Sequence, residues 1–530
     1  MLDNVLWFIV LGPAALIAVG IAGGASASRT NRLAFVAAAL SLAIAVMTAI
    51  SVAVDGTLHT STLGAAGIGL SIYADRLSAT MFCLVAFVGL VVVAYSRNYL
   101  HGDPGQVRFT RYLCLTLAAV LLVAVTGNVL AFALSWIATS MGLHALLLFY
   151  RERPAPIVAA RKKFLVSRLG EACLLAAAVL LYRAFGTLDY AALFARVEAL
   201  RVSGTVTATI QAVAILLVCT ALLKSAQFPL HGWLLEVMET PTPVSALLHA
   251  GIINAGGFLV LRFAEIIGLS LPSLNLLAVI GGFTALFGSV VMLTQTSIKV
   301  MLAYSTIAQM GFMMLECGLG AFPAALLHIV AHSLYKAHAF LSSGSVIDIA
   351  RASWTPSPGG KPHPRRLIFA IAGVLVVTFA VGRFFGASLA EKPGVFVFGA
   401  VLMLGLIHLI ANGIDERPNA FVVGRILAFA GIVAVVYFGL QIGAEALAGD
   451  SLPRTVAARG PLELAFTAAI VLAFALLTFL QGQVPRAAAT PRWQAVYAHV
   501  SNGLYVNTIA NRLVLRYWPS APRRSAEGSQ

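Results

Sequence analysis

Long apolar runs follow one another along the chain and decide what it can fold into. About fifteen runs of roughly 18–24 residues are present, the length that a helix needs to cross a hydrocarbon core about 30 Å thick. Charged residues make up only 10% of the 530 residues, against roughly 25% in an ordinary soluble domain. These features predict an all-α integral membrane protein, a polytopic helical bundle of about 13–15 transmembrane helices.

The positive charges lie in alternate loops between the apolar runs. The net charge is +15, and an excess of Lys and Arg in every second loop follows the positive-inside rule. The first run has Asp3 but no Lys or Arg on its flank, so we expect it to be retained as a span. The pattern predicts an odd number of spans, an outside N-terminus and a cytoplasmic C-terminus, and it makes nucleic acid an unexpected partner. The positive loop residues are Arg29, Arg32, Arg97, Arg108, Arg111, Arg151, Arg153, Arg161, Lys162, Lys163, Lys299, Arg351, Lys361, Arg365, Arg366, Arg486 and Arg492.

The sequence divides into one long apolar domain and a short polar tail. Residues 1–485 are predicted to form the transmembrane domain, with the polar motifs concentrated in 128–346, and a Pro- and Gly-rich stretch at 352–366 is predicted to be a loop. The tail, residues 486–530, is typical of a cytoplasmic segment on a membrane surface or on a partner, and a merely solvated tail fits it equally well. The five cysteines lie in apolar runs without a C-x-x-C pair, and no nucleotide-binding turn is present, so we expect no metal or other cofactor in this chain.

Lys224 stands at the end of an apolar run and is followed closely by Pro229. An ammonium near the centre of a bilayer costs at least about 2.5–3.5 kcal/mol, so a lysine there normally faces a hydrated interior. Pro229 has no amide hydrogen and clashes with the carbonyl four residues earlier, which predicts a broken helix at 224–229 that lines a cavity. The competing interpretation is a lysine that reaches from a helix end to the membrane interface.

Titratable groups recur on two further apolar runs. His249 follows the Pro-Thr-Pro start of one run, and His328, His332 and Lys336 recur every four residues on another. This spacing keeps the three within a wedge of about 80° on one helix face. Because histidine changes charge near neutral pH, such a ladder can relay protons through water. Two histidines four residues apart could also hold a metal, but no adjacent acid completes an H-E-x-x-H pattern.

Five other residues near these runs have competing interpretations. Lys299, at a cytoplasmic helix start, is either part of an ion path or a positive-inside anchor. Arg168 and Glu171 are three residues apart and are expected to pair, although Glu171 could instead modulate the lysine of the broken helix. His338 lies off the histidine wedge and is expected to face a neighbouring helix. Glu316, near a helix end, is expected to serve packing.

Three stretches resemble the motifs of one family of membrane subunits. KSAQFPLHGWLLEVMETPTPVSALLHAG begins at Lys224, TQTSIKVMLAYSTIAQMGFM at Thr294 and HIVAHSLYKAHAFLSSGSV at His328. They are similar to the signatures of the antiporter-like subunits of respiratory complex I, subunit L especially, and of the Mrp cation/proton antiporters. The resemblance implies an antiporter-like fold and a proton path through the matching residues, which are Lys224, His249, Lys299, His328, His332 and Lys336.

The chain departs from the family pattern at two places, and these departures indicate which branch of the family it resembles. The family has a Trp-Glu pair where this chain has Trp136 and Ile137, so the carboxylate that pairs with the channel lysine is missing. The family's second broken helix carries a lysine that has no clear counterpart after Phe384 and Phe385. His144 could partly replace the lost acid or simply pack. The reduced pattern resembles the DabB family, the membrane subunits of two-component inorganic-carbon pumps.

The resemblance to the DabB family implies a function and a set of partners. It implies ion flow, of protons or Na⁺, that drives bicarbonate or CO2 uptake across a bacterial inner membrane, with a large soluble DabA-type protein on the cytoplasmic face. The zinc and the carbonic-anhydrase-like chemistry are expected in that partner, so this chain is expected to be a transporter subunit and not an enzyme. The alternatives are an L-type proton-pumping subunit of a complex related to NADH-quinone oxidoreductase, an Mrp-type antiporter, or a structural scaffold.

Overall fold

Helices form nearly all the regular structure of the chain. The computed structural model describes residues 6–24, 26–150, 154–204, 206–344, 364–387, 392–411, 420–453, 460–487 and 490–518. Within these ranges ten helices are long and apolar enough to cross a membrane, and four shorter apolar helices accompany them. The predicted all-α polytopic membrane fold is therefore confirmed. The predicted loop at 352–366 lies almost wholly outside the described residues.

The helices of the first half run from the N-terminal region to the end of the first broken helix. A 3₁₀ turn at Trp7–Val10 precedes them, and four short strands lie between α2 and α3. The helices are α1 Leu11–Ala22, α2 Ala27–Asp55, α3 Arg76–Tyr99, α4 Gln106–Val125, α5 Val129–Leu147, α6 Pro154–Phe185, α7 Tyr190–Ser203 and α8 Ala208–Lys224. The strands are β1 Leu58–His59, β2 Leu63–Ala65, β3 Ile68–Leu70 and β4 Tyr73–Ala74.

The second half begins with short helical segments and ends with a two-helix tail. The helices are α9 Gly232–Leu235, α10 Thr242–Ala250, α11 Ala255–Arg262, α12 Ala264–Gly268, α13 Leu271–Met292, α14 Ile298–Gly318, α15 Phe322–Leu341, α16 Pro364–Phe384, α17 Pro393–Ala411, α18 Ala420–Ala448, α19 Pro461–Ala487, α20 Pro491–Ser501 and α21 Val506–Tyr517. The 3₁₀ turns are Glu236–Glu239, Ile252–Asn254, Gly449–Ser451 and Gly503–Tyr505.

Contacts between loops define two opposite faces of the bundle. On the first face β1 pairs with β4 and β2 with β3, both antiparallel, and the Asn128 region pairs with Asp189 at the start of α7. On the second face α20 lies against the α13–α14 loop, where the backbone carbonyl of Ser501 accepts a hydrogen bond from the side-chain amide of Gln295. Three arginines contact loops or the tail on this second face. Arg108 donates to the carbonyl of Phe149, Arg111 to that of Gly20 and Arg161 to that of Trp518.

A buried ion pair ties the start of α3 to the end of α11 near the first face. The Arg262 guanidinium donates to both oxygens of Asp75 at 2.8 and 2.9 Å and to the hydroxyl of Ser78 at 2.6 Å. Both charged side chains are only 3% exposed. Burial would raise the pKa of Asp75, but the Arg262 guanidinium and the Ser78 hydrogen bonds outweigh it, so the pKa of that carboxyl is lowered. Removing one partner alone would leave an unpaired buried charge.

Helices α13 and α14 approach each other closely along a row of glycines. A Cβ atom at Gly288 would lie 2.7 Å from the backbone nitrogen of Ala308, and one at Gly281 would lie 2.6 Å from that of Leu315. Small residues of this kind let membrane helices pack backbone to backbone. The row fixes α14, which carries several of the polar side chains described below.

Replacing Gly288 by Ala should loosen this helix pair, because the added methyl group meets the backbone of Ala308. Overpacking of this kind costs about 1–3 kcal/mol, and we expect a lower melting temperature for the detergent-solubilised protein, measured by fluorescence-detected size exclusion after heating. Gly439→Ala in α18 is the matched control, since no described atom lies within 4 Å of its Cβ position. Equal melting temperatures for the two variants would contradict the close packing.

Candidate functional site

Helix α8 ends at Lys224, and the chain turns away at the position that the sequence predicts. The amide of Ser225, the C-terminal cap, donates to the carbonyl of Ala221. The exposed backbone groups that follow find partners, since the amide of Phe228 donates to the hydroxyl of Thr284 at 3.1 Å. Pro229 lies within this turn, before α9 begins. The break therefore leaves the Lys224 side chain at a helix end inside the bundle, where 8% of the residue is exposed.

The Lys224 ammonium is held by groups that carry no charge. Its Nζ atom lies 4.8 Å from the ring centroid of Trp136 and donates to the Ser140 hydroxyl at 3.0 Å. The Ser140 carbonyl accepts a hydrogen bond from the buried Lys163 ammonium. A cavity of about 10 Å³ borders both lysines, which is close to the room that one water molecule needs. Ser140 therefore joins the two lysines.

The acids near this lysine pair are engaged elsewhere. Glu171 forms an ion pair with Arg168 at 2.6 Å, the arrangement expected from their spacing. Ile137, at the position of the family's carboxylate, is partly buried and apolar. Among the described residues, no carboxylate forms a hydrogen bond or an ion pair with Lys224. His144 packs against the ring of Phe164, with 5.8 Å between the ring centroids.

A second group of buried polar side chains joins α10, α14 and α15. His249 shares a hydrogen bond with the hydroxyl of Thr306 at 2.9 Å. The Lys336 ammonium donates to the carbonyl of Leu302 at 3.0 Å, and the Thr306 hydroxyl donates to the same carbonyl. The ring of His249 stacks on Phe340 with 4.3 Å between centroids. The structure thus brings the predicted His249 and Lys336 to one hydrogen-bonded cluster.

The ladder on α15 continues from Lys336 toward the first face. The rings of His332 and His328 have centroids 6.2 Å apart, and His328 Nδ1 lies 3.0 Å from a carboxylate oxygen of Glu316. His338 is exposed on the opposite side of the helix from Lys336. The predicted wedge of three titratable groups therefore faces the interior, and His338 does not.

A non-helical interruption connects the two groups of polar side chains. The apolar run that carries His249 is divided at Gly251 into α10, a 3₁₀ turn and α11. The carbonyl of Ile253 in this turn accepts from the Ser225 hydroxyl at 3.2 Å. The side-chain amide of Asn254 donates to the hydroxyl of Ser333 on α15 at 2.7 Å. The Ile253 carbonyl and the Asn254 side chain thus lie between α8 and the histidine ladder.

Some residues of these clusters differ from their sequence-based assignments. Lys163 is assigned to a positive loop and Glu316 to packing, yet 3% of each residue is exposed and both contact the polar clusters. An acid or lysine inside an otherwise apolar 18-residue window is the signal that could have found them. Lys299 is partly buried in the first turn of α14, and no hydrogen bond joins its ammonium to a described residue. The structure therefore leaves Lys299 outside both clusters.

The C-terminal tail is tied to the second face by one buried lysine. The Lys162 ammonium donates to Glu236 at 2.8 Å and to the side-chain oxygens of Asn507 and Asn511, both at 2.6 Å. Asn511 also donates to Glu236 at 2.6 Å. The tail therefore packs on the protein itself, against α6 and the 3₁₀ turn that begins at Glu236. Its outward side carries the exposed apolar residues Ile509, Leu513 and Tyr517.

Known proteins share both the sequence pattern and the fold. Residues 126–355 match the family described as "NADH:quinone oxidoreductase/Mrp antiporter, TM", and residues 61–110 match "NADH-Ubiquinone oxidoreductase (complex I), chain 5 N-terminus". The structure resembles that of an Mrp complex from Dietzia sp. DQ12-45-1b, with a TM-score of 0.63 and 23% identity over 98% of this chain and 61% of that chain. The fold is therefore that of the antiporter-like membrane proteins.

More similar relatives identify the family. The probable inorganic carbon transporter subunit DabB2 of Halothiobacillus neapolitanus is 40% identical over 473 residues, which are 87% of this chain and 84% of that protein. The probable inorganic carbon transporter subunit DabB of Hydrogenovibrio crunogenus is 37% identical over 84% of this chain and 83% of that protein. This chain belongs to the DabB family of probable inorganic carbon transporter subunits.

Replacing Asn511 by Ala should loosen the tail, because Lys162 and Glu236 each lose a hydrogen bond in a half-buried site. Hydrogen bonds to charged groups contribute about 1.5–3 kcal/mol each, so we expect faster cleavage of the tail in limited proteolysis of the purified protein. Asn502→Ala is the matched control, since its amide donates to Ala498 within the same helix end. Equal cleavage rates for both variants would show that the Lys162 contacts do not hold the tail.

Proposed function

We propose that this chain is the ion-conducting membrane subunit of an energy-coupled inorganic-carbon uptake pump. In this proposal either protons or Na⁺ ions move down their gradient through the buried polar clusters. This ion flow drives the uptake of bicarbonate or CO2 by the complex that the chain forms with a DabA-type partner. Membership of the DabB family supports the transport role, and the arrangement of the buried side chains supports the ion path.

A series of polar groups that extends through the bundle from α15 to α6 is the observation that carries the proposal. It runs from His328 and His332 to Lys336 and His249, and then across the interrupted segment at 251–254. From there it reaches Lys224, Ser140 and Lys163 through Ser225. Buried titratable groups in spanning helices are costly, and where they are retained they mark ion pathways.

The surroundings of Lys224 suit a group that gains and loses a proton. The Trp136 ring attracts the ammonium through its electron-rich face but has no formal charge. When Lys224 releases its proton, no unpaired carboxylate is therefore left in its place. Ile137 stands where the family pattern has an acid, so Trp136 and Ser140 contact the ammonium without a carboxylate beside them. Glu171 and Arg168 on α6 interact electrostatically with Lys224, so this pair is placed to modulate the site.

The charge distribution supports an orientation with the second face in the cytoplasm. The loops and helix starts on that face carry the Lys and Arg excess, which the positive-inside rule assigns to the cytoplasmic side. The N-terminal segment then lies outside and the tail lies inside the cytoplasmic membrane of a bacterium. A soluble zinc-containing partner would bind this second face and supply the hydration chemistry. No residue of this chain is assigned to that chemistry.

The competing function is an antiporter-like subunit of a redox-driven complex. The NAD(P)H-quinone oxidoreductase chain 5 of Synechocystis is 41% identical to this chain, but over only 52% of this chain and 40% of that protein. Purification under native detergent conditions separates the two functions. Co-purification of a soluble zinc protein supports the carbon pump, and co-purification of flavin or iron–sulfur proteins supports the redox complex.

Replacing Lys224 by Ala should abolish energy-dependent bicarbonate accumulation, because the path loses its titratable group at the break in α8. The measurement is uptake of labelled bicarbonate by cells that express the chain with its partner, at matched amounts of assembled complex. Lys392→Ala is the control, since Lys392 forms an ion pair with Glu445, which belongs to neither polar cluster. Accumulation at the wild-type level in a well-assembled Lys224→Ala complex would refute the proposed function.

A further inference from the structure

Glu316 is a buried carboxylate in the last turn of α14 whose ion-pair partner is a histidine. Its side chain is 4% exposed, and its two oxygens lie 3.1 and 3.0 Å from Nδ1 of His328. Two other buried carboxylates in ion pairs among the described residues, Asp75 and Glu171, each have an arginine as their partner. An arginine keeps its charge in a protein, whereas a histidine gains or loses a proton near neutral pH. The net charge of the Glu316–His328 pair is therefore switchable.

The pair borders a cavity that contains buried nitrogens without hydrogen-bond partners. The cavity has a volume of about 400 Å³ and is lined by Glu316, His328, His332, Gln309 and Gln441, among others. Nε2 of His328 and Nε2 of His332 are buried and have no partner among the described residues. Buried polar atoms in native proteins are normally satisfied by protein or by water, and this volume holds several waters. A water-filled connection between the two imidazoles fits the space.

The position of the pair in the fold places it at one end of the ladder. Glu316 lies two residues before the end of α14, and His328 lies in the second turn of α15, so both are near the first face. His332 and Lys336 follow on α15 toward the second face, one turn apart. His332 also lies against the backbone of His249. From His328, the next groups toward the second face are therefore His332 and then Lys336 and His249.

We infer that Glu316 is the positioning and charge-compensating residue of a proton inlet on the first face, with His328 as the group that takes up the proton. This inference rests on the proposed function and specifies where its ion path begins. Neutral His328 donates its Nδ1 hydrogen to Glu316, and a proton from cavity water adds to Nε2. The imidazolium and the carboxylate together are neutral. Transfer from Nε2 through water to His332 then restores neutral His328.

Besides Glu316 and His328, three of the described residues that line the cavity can titrate. His332 and Tyr335 face it from α15, and Tyr437 faces it from α18. Cys317 is adjacent to Glu316 on α14. The described cavity-lining residues of α17 are Phe398, Val401 and Leu402, which do not titrate. Within the described residues that line the cavity, Glu316 is thus the carboxylate that compensates a charge on His328.

The test is Glu316→Gln in the complete complex, with proton-driven bicarbonate uptake measured as a function of external pH. Loss of the carboxylate weakens proton uptake by His328, so half-maximal activity should move to lower external pH, by about one unit or more. Glu316→Asp retains the carboxylate and should stay near the wild-type profile. Glu198→Gln is the matched control, because Glu198 is an exposed partner of Arg201.

The outcomes separate this inference from the proposed function. An acid shift in Glu316→Gln with a near-normal Glu316→Asp profile supports the inlet. An unchanged profile in Glu316→Gln, or an equal loss at every pH in both variants, overturns it. If Lys224→Ala abolishes uptake while Glu316→Gln leaves the profile unchanged, the ion path stands and only the position of its inlet is wrong. If Lys224→Ala retains uptake, the proposed function itself fails.

Discussion

The need to compensate charge inside hydrocarbon governs the whole arrangement. Lys224, Lys163 and Lys336 lie within the bundle, and each is held by a hydroxyl, a backbone carbonyl or an aromatic ring. Such groups lower the cost of a buried ammonium without fixing its charge permanently. By contrast, the Asp75–Arg262 pair is a permanent charge pair with a bidentate hydrogen bond. The protein thus joins helices with a charge pair, whereas the lysines of the proposed path have uncharged partners.

Breaks in the helices supply many of the polar contacts that this arrangement needs. The end of α8 at Lys224 and the interruption between α10 and α11 both leave backbone groups without intrahelical partners. At membrane depth such groups are tolerated only where protein or water satisfies them. The Ser225 hydroxyl donates to the carbonyl of Ile253, which joins the two breaks, and the side-chain amide of Asn254 donates to the Ser333 hydroxyl on α15. The same contacts join the two polar clusters.

The sequence predicts the helical membrane fold, the break after Lys224 and the inward wedge of His328, His332 and Lys336 correctly. These features depend on local properties, namely hydropathy, proline and four-residue spacing. The contacts of Glu316 and of Lys162 depend instead on which helices meet in space. Neither the interruption at Gly251 nor the packing of the tail has a comparably strong local signal. These contacts, the interruption and the tail packing could therefore not be predicted from the sequence.

Proton flux through the purified complex tests the central claim most directly. The complex would be reconstituted in vesicles with an internal pH-sensitive dye, and an imposed pH gradient would drive the flux. If Lys224 and Lys336 belong to one path, Lys224→Met and Lys336→Met should each reduce the flux to that of empty vesicles, although they lie on different helices. Flux at the wild-type rate in either variant would contradict a single continuous path.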